Sequence, residues 1–277
     1  MTHRTAVVFL IAVWIAGPIL ASEIREFDVR TLERLGNELS HRDGIAARAT
    51  DFVLKEYPLA RSLKMRGWIT ELRKDGGFVY FVLETPAGPS LAYIVTFQEG
   101  SKPKGQDVRG QPLPPNIAVR YKARETARAA LRGRLFDLNY NLEILNDPDG
   151  DGFLVYALGA TAKPGEVVLA GHLRVSVSPD GTKAKRIDAL SQTMFVSSKK
   201  NSGLPKGYHS VALYFNQIVS NKPVETFIYT SNLAQKNIYV STPDGNLWVV
   251  EKGRMRIDHS KPSSKTEAGA ARQAMGH

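Results

Sequence analysis

Residues 146–155 read Asn-Asp-Pro-Asp-Gly-Asp-Gly-Phe-Leu-Val, and the fold depends on whether they make a metal loop between helices or a turn between strands. Asp147, Asp149 and Asp151 alternate and Gly152 follows, matching the opening of a helix-loop-helix calcium loop. Such a loop closes on a bidentate glutamate at its twelfth position, which here is Leu158. Both flanks, residues 141–145 and 153–158, alternate with the period of strands. The same signature recurs as Thr85-Pro86-Ala87-Gly88, Ser178-Pro179-Asp180-Gly181 and Thr242-Pro243-Asp244-Gly245. Proline sets φ at the second turn position, the first side chain accepts from the backbone, and glycine takes the left-handed position. A hairpin turn explains all four copies and calcium explains one. The expectation is therefore an antiparallel fold, with Asp147, Asp149 and Asp151 as a calcium alternative of the kind found in stabilised adhesion modules.

Working outward, residues 27–57 are helical in pattern. Leu32, Leu35 and Leu39 share one face, and Ile45, Ala49, Phe52 and Val53 share another after a break at Asp43-Gly44, so two helices or one kinked helix is expected. Strand-like runs follow at 63–72, 78–84 and 91–97. Residues 101–116, rich in Gly, Pro and charge, read as a linker or long loop. A helix near 120–132, capped at Gly133, precedes strands at 140–145, 153–158, 167–177 and 185–189. From residue 196 to 257 only strands are expected: 209–219, 224–229, 237–241 and 247–251.

The fold class predicted is α+β, with two helix-plus-antiparallel-meander units at 23–100 and 117–195 and a β-rich segment at 196–257. This element order resembles the cystatin-like or PepSY-like arrangement, in which a helix packs on a curved antiparallel sheet. Residues 258–277 carry no hydrophobic pattern and read as a disordered basic tail.

Composition bounds the compartment. Arg4, an apolar run over residues 6–17, Pro18, and the small residues Ala21 and Ser22 form the layout of a secretory signal peptide at 1–22. The expected location is the bacterial periplasm or outside the cell, with no transmembrane span after cleavage. The chain has no cysteine, which excludes disulfides, thiolate zinc sites and cysteine nucleophiles. The formal net charge of +10 points to anionic partners: lipid headgroups, lipopolysaccharide, polysaccharide or an acidic protein, with nucleic acid disfavoured by the want of an aromatic stacking platform.

Chemistry-bearing residues are few. A hydrolase reading rests on His209 and Glu225, or on His172. Alternation along residues 171–178 puts His172 with Arg174 and Ser176 on what reads as a solvent face. Glu225, placed on a strand, falls opposite Phe215 in a hairpin and far from His209. The string Ser197-x-x-Lys200 lacks its companion motifs. The sharpest surface feature is Arg120, Arg124, Arg128 and Arg132 at i, i+4 spacing, one ridge of guanidinium groups on a helix. The sequence thus favours an exported, non-enzymatic binding or envelope-accessory protein that meets an anionic partner through this ridge, with no cofactor. An exported hydrolase and a calcium-stabilised module are the alternatives.

Overall fold

The structure, a computed structural model, describes residues 24–163, 165–198 and 212–259. A single helix, α1 (Val29–Glu56), starts where the Asp28 carboxylate accepts from Thr31 N at 2.7 Å. Asp43-Gly44 does not interrupt it: Asp43 is held by Asn141 and Tyr229 side chains, and these tertiary bonds override the weak helix propensity of the pair. Strands β1 (Met65–Arg73), β2 (Gly76–Thr85), β3 (Gly88–Gln98) and β4 (Lys104–Asp107) form the first antiparallel sheet in sequence order. The expected linker at 101–116 therefore contains an edge strand. Its residues are polar because β4 pairs only with β3, and Gly105 is needed where a Cβ would come 2.4 Å from the Phe52 ring.

Helix α2 (Pro115–Ala130) begins with proline at its first position, where the missing N–H costs nothing. It precedes β5 (Asn139–Asn146), β6 (Phe153–Ala160), β7 (Glu166–Ala170), β8 (Leu173–Val177) and β9 (Ala184–Ala189). The second sheet has the order β5-β6-β8-β9. The expected strand at 167–177 breaks at Gly171, whose φ of 106° leaves the extended region, and β7 pairs away from the sheet with β10 (Phe195–Ser198).

The third portion departs most from expectation. It comprises β11 (Ala212–Asn216), α3 (Glu225–Ala234), β12 (Asn237–Ser241), β13 (Leu247–Glu251) and β14 (Arg254–Ile257). Residues 224–229 are the start of a helix, not a strand. All seven residues from Glu225 to Ser231 are buried, so no polar face marks the helical period, and the aromatic and β-branched side chains imitate a strand. Strands β11 and β12 pair in parallel, as a helical crossover between them requires, and β12-β13-β14 continue antiparallel. Among the described residues three α-helices thus accompany three four-stranded sheets and the two-stranded β7-β10 sheet, and the class is α+β.

The four proline–glycine turns join β2 to β3, β5 to β6, β8 to β9 and β12 to β13. Gly88, Gly181 and Gly245 have positive φ as the motif demands. The Asp147 copy closes more widely, through Asp147 N donating to Gly152 O at 2.9 Å.

Packing explains why α1 is long. Its first half (Leu32, Leu35, Leu39) meets Ile228 of α3, Ile238, Val250 and Tyr156 in one core. Its second half (Ile45, Ala49, Val53) covers Val79, Phe81 and Val95 of the first sheet. Helix α2 lies between sheets: Ile117, Ala127 and Leu131 share a core with Ile69 and Leu91 of the first and Val155 and Val175 of the second. The second sheet is consequently covered on both faces. A strap at residues 24–28 completes the core shared by α1, α3 and the third sheet with buried Ile24 and Phe27, and Ser220 Oγ donates to Glu26 at 2.7 Å.

Candidate functional site

On the face of the second sheet turned toward α1 and α3, polar side chains stand in one rung across four strands. Glu143 is opposite Tyr156, Tyr156 opposite Arg174, and Arg174 opposite Asp188. None of the four is more than 1% exposed, and Glu225, from the first turn of α3, is 0% exposed above them. Arg174 donates from Nη1 to Glu225 Oε1 at 2.6 Å and from Nη2 to Asp188 Oδ2 at 2.8 Å. It also donates to the backbone carbonyl of Arg25 in the strap. Tyr156 Oη donates to Glu225 Oε1 at 2.8 Å. Burial alone would depress the guanidinium pKa, but Glu225, Tyr156 and Asp188 raise it above its ordinary value. Burial, reinforced by the charge of Glu225, pushes the Tyr156 phenol well up, so it remains a donor.

A second cluster adjoins it. Trp68 Nε1 donates to Glu143 at 2.8 Å, yet complete burial raises that carboxyl to about 7. Asn141 and Tyr229 donate to the two oxygens of Asp43 at 3.1 and 3.0 Å, and burial raises its pKa as well. His172 lies edge-on to the Tyr229 ring, centroids 5.8 Å apart. Its Nδ1 accepts the Gly159 amide proton at 3.0 Å, and burial lowers its pKa to about 4.

His172 is on the face that alternation assigns, but α3 and α1 cover that face, so it is 2% exposed and not on a solvent surface. Glu225 belongs to a helix and not to a wet strand; it faces a guanidinium and a phenol. His209 lies outside the described residues, as does Lys200. His172 and Glu225 share the buried interface without bonding to each other. A neutral imidazole accepting at Nδ1 carries its proton at Nε2, leaving no lone pair for a base. Glu225 Oε1 is already taken by the Arg174 guanidinium and the Tyr156 hydroxyl. The ensemble acts as internal bracing. Arg25, Asp43, Glu143, Tyr156, Arg174, Asp188 and Tyr229 were not legible as partners, because nothing in alternation says that a second layer covers the polar face.

The aspartate loop is also braced. Arg25 donates from Nη1 and Nη2 to the two oxygens of Asp147 at 2.6 and 2.7 Å, and from Nη2 to Asp149 at 2.9 Å. The cation that neutralises this turn is supplied by the strap. Although burial opposes it, the Arg25 pair holds Asp147 below the usual carboxylate value. Asp151 is exposed and takes no part.

The arginine ridge divides. Arg124 is 7% exposed, pressed on Gly67, where a Cβ would lie 2.3 Å from its Nη2, and pairs with Glu125 at 2.7 Å. Arg120 is half-buried; it stacks 5.4 Å over the Phe153 ring and donates to Asn146 at 2.7 Å. Arg128 is exposed and pairs with Glu125, while Arg132 and Arg134 are exposed with no acidic partner among the described residues. The regular spacing is real, but the helix carrying it is sandwiched, so of the four spaced arginines only Arg128 and Arg132, toward its C-terminal end, are exposed. Ala123 and Ala127 beside Arg124 are the sequence signal of that close packing.

No protein-family model and no curated protein matches the sequence. Among solved structures, the chain is similar to the Bacillus megaterium YpeB C-terminal domain at 14% sequence identity, covering 60% of this chain and 68% of that one, with a TM-score of 0.18. A likeness of that size carries no argument about fold or activity.

Proposed function

We propose that this is an exported, non-enzymatic binding or envelope-accessory protein that meets an anionic partner through the cationic end of α2. The observation that carries the reading is the pair Arg132 and Arg134, solvent-exposed and making no ion pair among the described residues, next to Arg128. Guanidinium groups left unpaired at a surface are suited to phosphate, sulfate or carboxylate ligands. The buried cluster supports the non-enzymatic half, since Arg174 engages Glu225 and Asp188, Trp68 engages Glu143, and Asn141 and Tyr229 engage Asp43. Export is supported by the leader-like pattern of residues 1–22. Among the described residues no helix is long and apolar enough to cross a membrane.

The reading is tested with the triple charge reversal Arg128→Glu, Arg132→Glu, Arg134→Glu. Retention on heparin-substituted resin at moderate salt should be lost, with the circular dichroism spectrum and melting temperature preserved. Retention equal to the parent at every salt concentration would remove the reading. Arg124→Glu is unsuitable for this purpose, because it places an unpaired carboxylate in the core.

A further inference from the structure

The exposed guanidinium groups stand beside exposed apolar side chains on a rigid support. Where β5 begins and β6 ends, the loops 131–138 and 190–194 converge on Gly171: a Cβ there would lie 3.3 Å from Met194 Cα and 3.4 Å from Phe136 Cδ2. Tyr140 Oη accepts from Phe136 N at 3.3 Å and donates to the Gly171 carbonyl at 3.0 Å. Ser191 Oγ accepts from Gly171 N at 2.7 Å and donates to the Thr193 carbonyl at 3.0 Å. Both loops are therefore fixed to the sheet end. From them Leu135 and Met194 project, each 40% exposed, with Arg132 and Arg134 within three residues of Leu135. Among the described residues, Asp137 in the first loop is exposed, Asp188 just before the second is buried against Arg174, and Glu166 has Lys163 4.0 Å away.

Resting on the anionic-partner reading, we infer that this end of the molecule docks on an anionic lipid bilayer. Leu135 and Met194 enter the headgroup–acyl boundary, and Arg132 and Arg134 bind lipid phosphates. A hydrated polysaccharide satisfies the guanidinium groups but offers an exposed leucine and methionine no apolar layer, and an acidic protein does so only where an apolar patch stands beside its charge. A bilayer offers charge and an apolar layer within about 5–10 Å of each other, and stable peripheral attachment draws on both. Each cation contributes about five-fold to binding at such a surface, and burying the exposed part of each apolar side chain contributes a similar factor.

The test is cosedimentation of the intact protein with phosphatidylcholine vesicles, with and without phosphatidylglycerol, alongside retention on heparin resin. The parent should bind only the anionic vesicles. Leu135→Ser with Met194→Ser should weaken that binding about ten-fold or more while leaving heparin retention unchanged, and Arg132→Glu with Arg134→Glu should abolish both. As a signal independent of loss, Leu135→Trp should show a blue-shifted emission on adding anionic vesicles. If the serine variant binds vesicles like the parent, or the tryptophan stays water-exposed, the bilayer inference is overturned while the anionic reading survives. If neither vesicles nor heparin retain the parent, both are overturned.

Discussion

Arg174 is the residue on which the buried rung depends. It is fully buried and serves Glu225, Asp188 and the strap carbonyl together. Removing one partner of a buried ion pair strands the others, at a cost of about 3–5 kcal/mol. Arg174→Met should lower urea-unfolding stability by that amount, and adding Glu225→Leu and Asp188→Leu should recover most of it. A loss under 1 kcal/mol would show that solvent reaches the rung. Titration gives a second prediction, in which two buried groups oppose each other. His172 has a folded value near 4 against 6.5, so the unfolded chain binds the extra proton, and its stability contribution is complete above pH 6.5 and declines as pH falls toward 4. Glu143 has a folded value near 7 against 4.5, so the folded chain keeps a proton the unfolded chain releases, and its contribution declines as pH rises from 4.5 to 7. Each amounts to about 3 kcal/mol. Together they nearly cancel between pH 4.5 and 6.5. His172→Gln should expose a stability that falls with rising pH, and Glu143→Gln one that rises; parallel slopes in both variants would contradict the burial of either group.

Helix α1 carries its own internal control. Gly36 sits at the crossing with α3, where a Cβ would come 2.5 Å from the Glu225 carbonyl and 2.6 Å from Ile228 Cβ. Gly44, on the same helix, has nothing within 4 Å. Alanine favours a helix over glycine by about 1 kcal/mol, so Gly44→Ala should stabilise by up to that amount. Gly36→Ala should instead destabilise by about 1–3 kcal/mol, because backbone and a branched side chain must move apart. Equal effects in thermal melts would mean that α1 and α3 are not in contact. Legibility follows the same physics. The amphipathic α1, the proline–glycine turns and the strands at 237–241 and 247–251 announced themselves through period and turn chemistry. Helix α3 did not, since burial all round erases the period, and neither did β4, a four-residue polar edge. In the candidate site, the i, i+4 spacing of the arginines was visible, whereas the burial of Arg124 was decided by a sheet distant in sequence.

At the scale of the molecule, the first half of α1 shares a core with α3 and the third sheet, while its second half covers the first sheet. Helix α2 joins the first sheet to the second. The first sheet loses α2 from one face if the second sheet leaves, and the core of α3 and the third sheet loses the first half of α1 if the first leaves. Thermal unfolding should therefore be one transition, with calorimetric and van't Hoff enthalpies equal; two resolved transitions would mean independent domains. Residues 23–100 expressed alone should not fold stably, since Leu32, Leu35 and Leu39 would face water.

The strap has a consequence for timing. Glu26 is tied to Ser220, 194 positions later, and closing a loop of that length costs about 5 kcal/mol of chain entropy. A chain synthesised from its N-terminus makes this latch 194 residues before the matching keeper. Until residue 220 and the helix after it have emerged, the strap keeps only its seat on the second sheet, where Arg174 lies over Phe27 and Asp147 holds Arg25, so the core shared with α3 closes late.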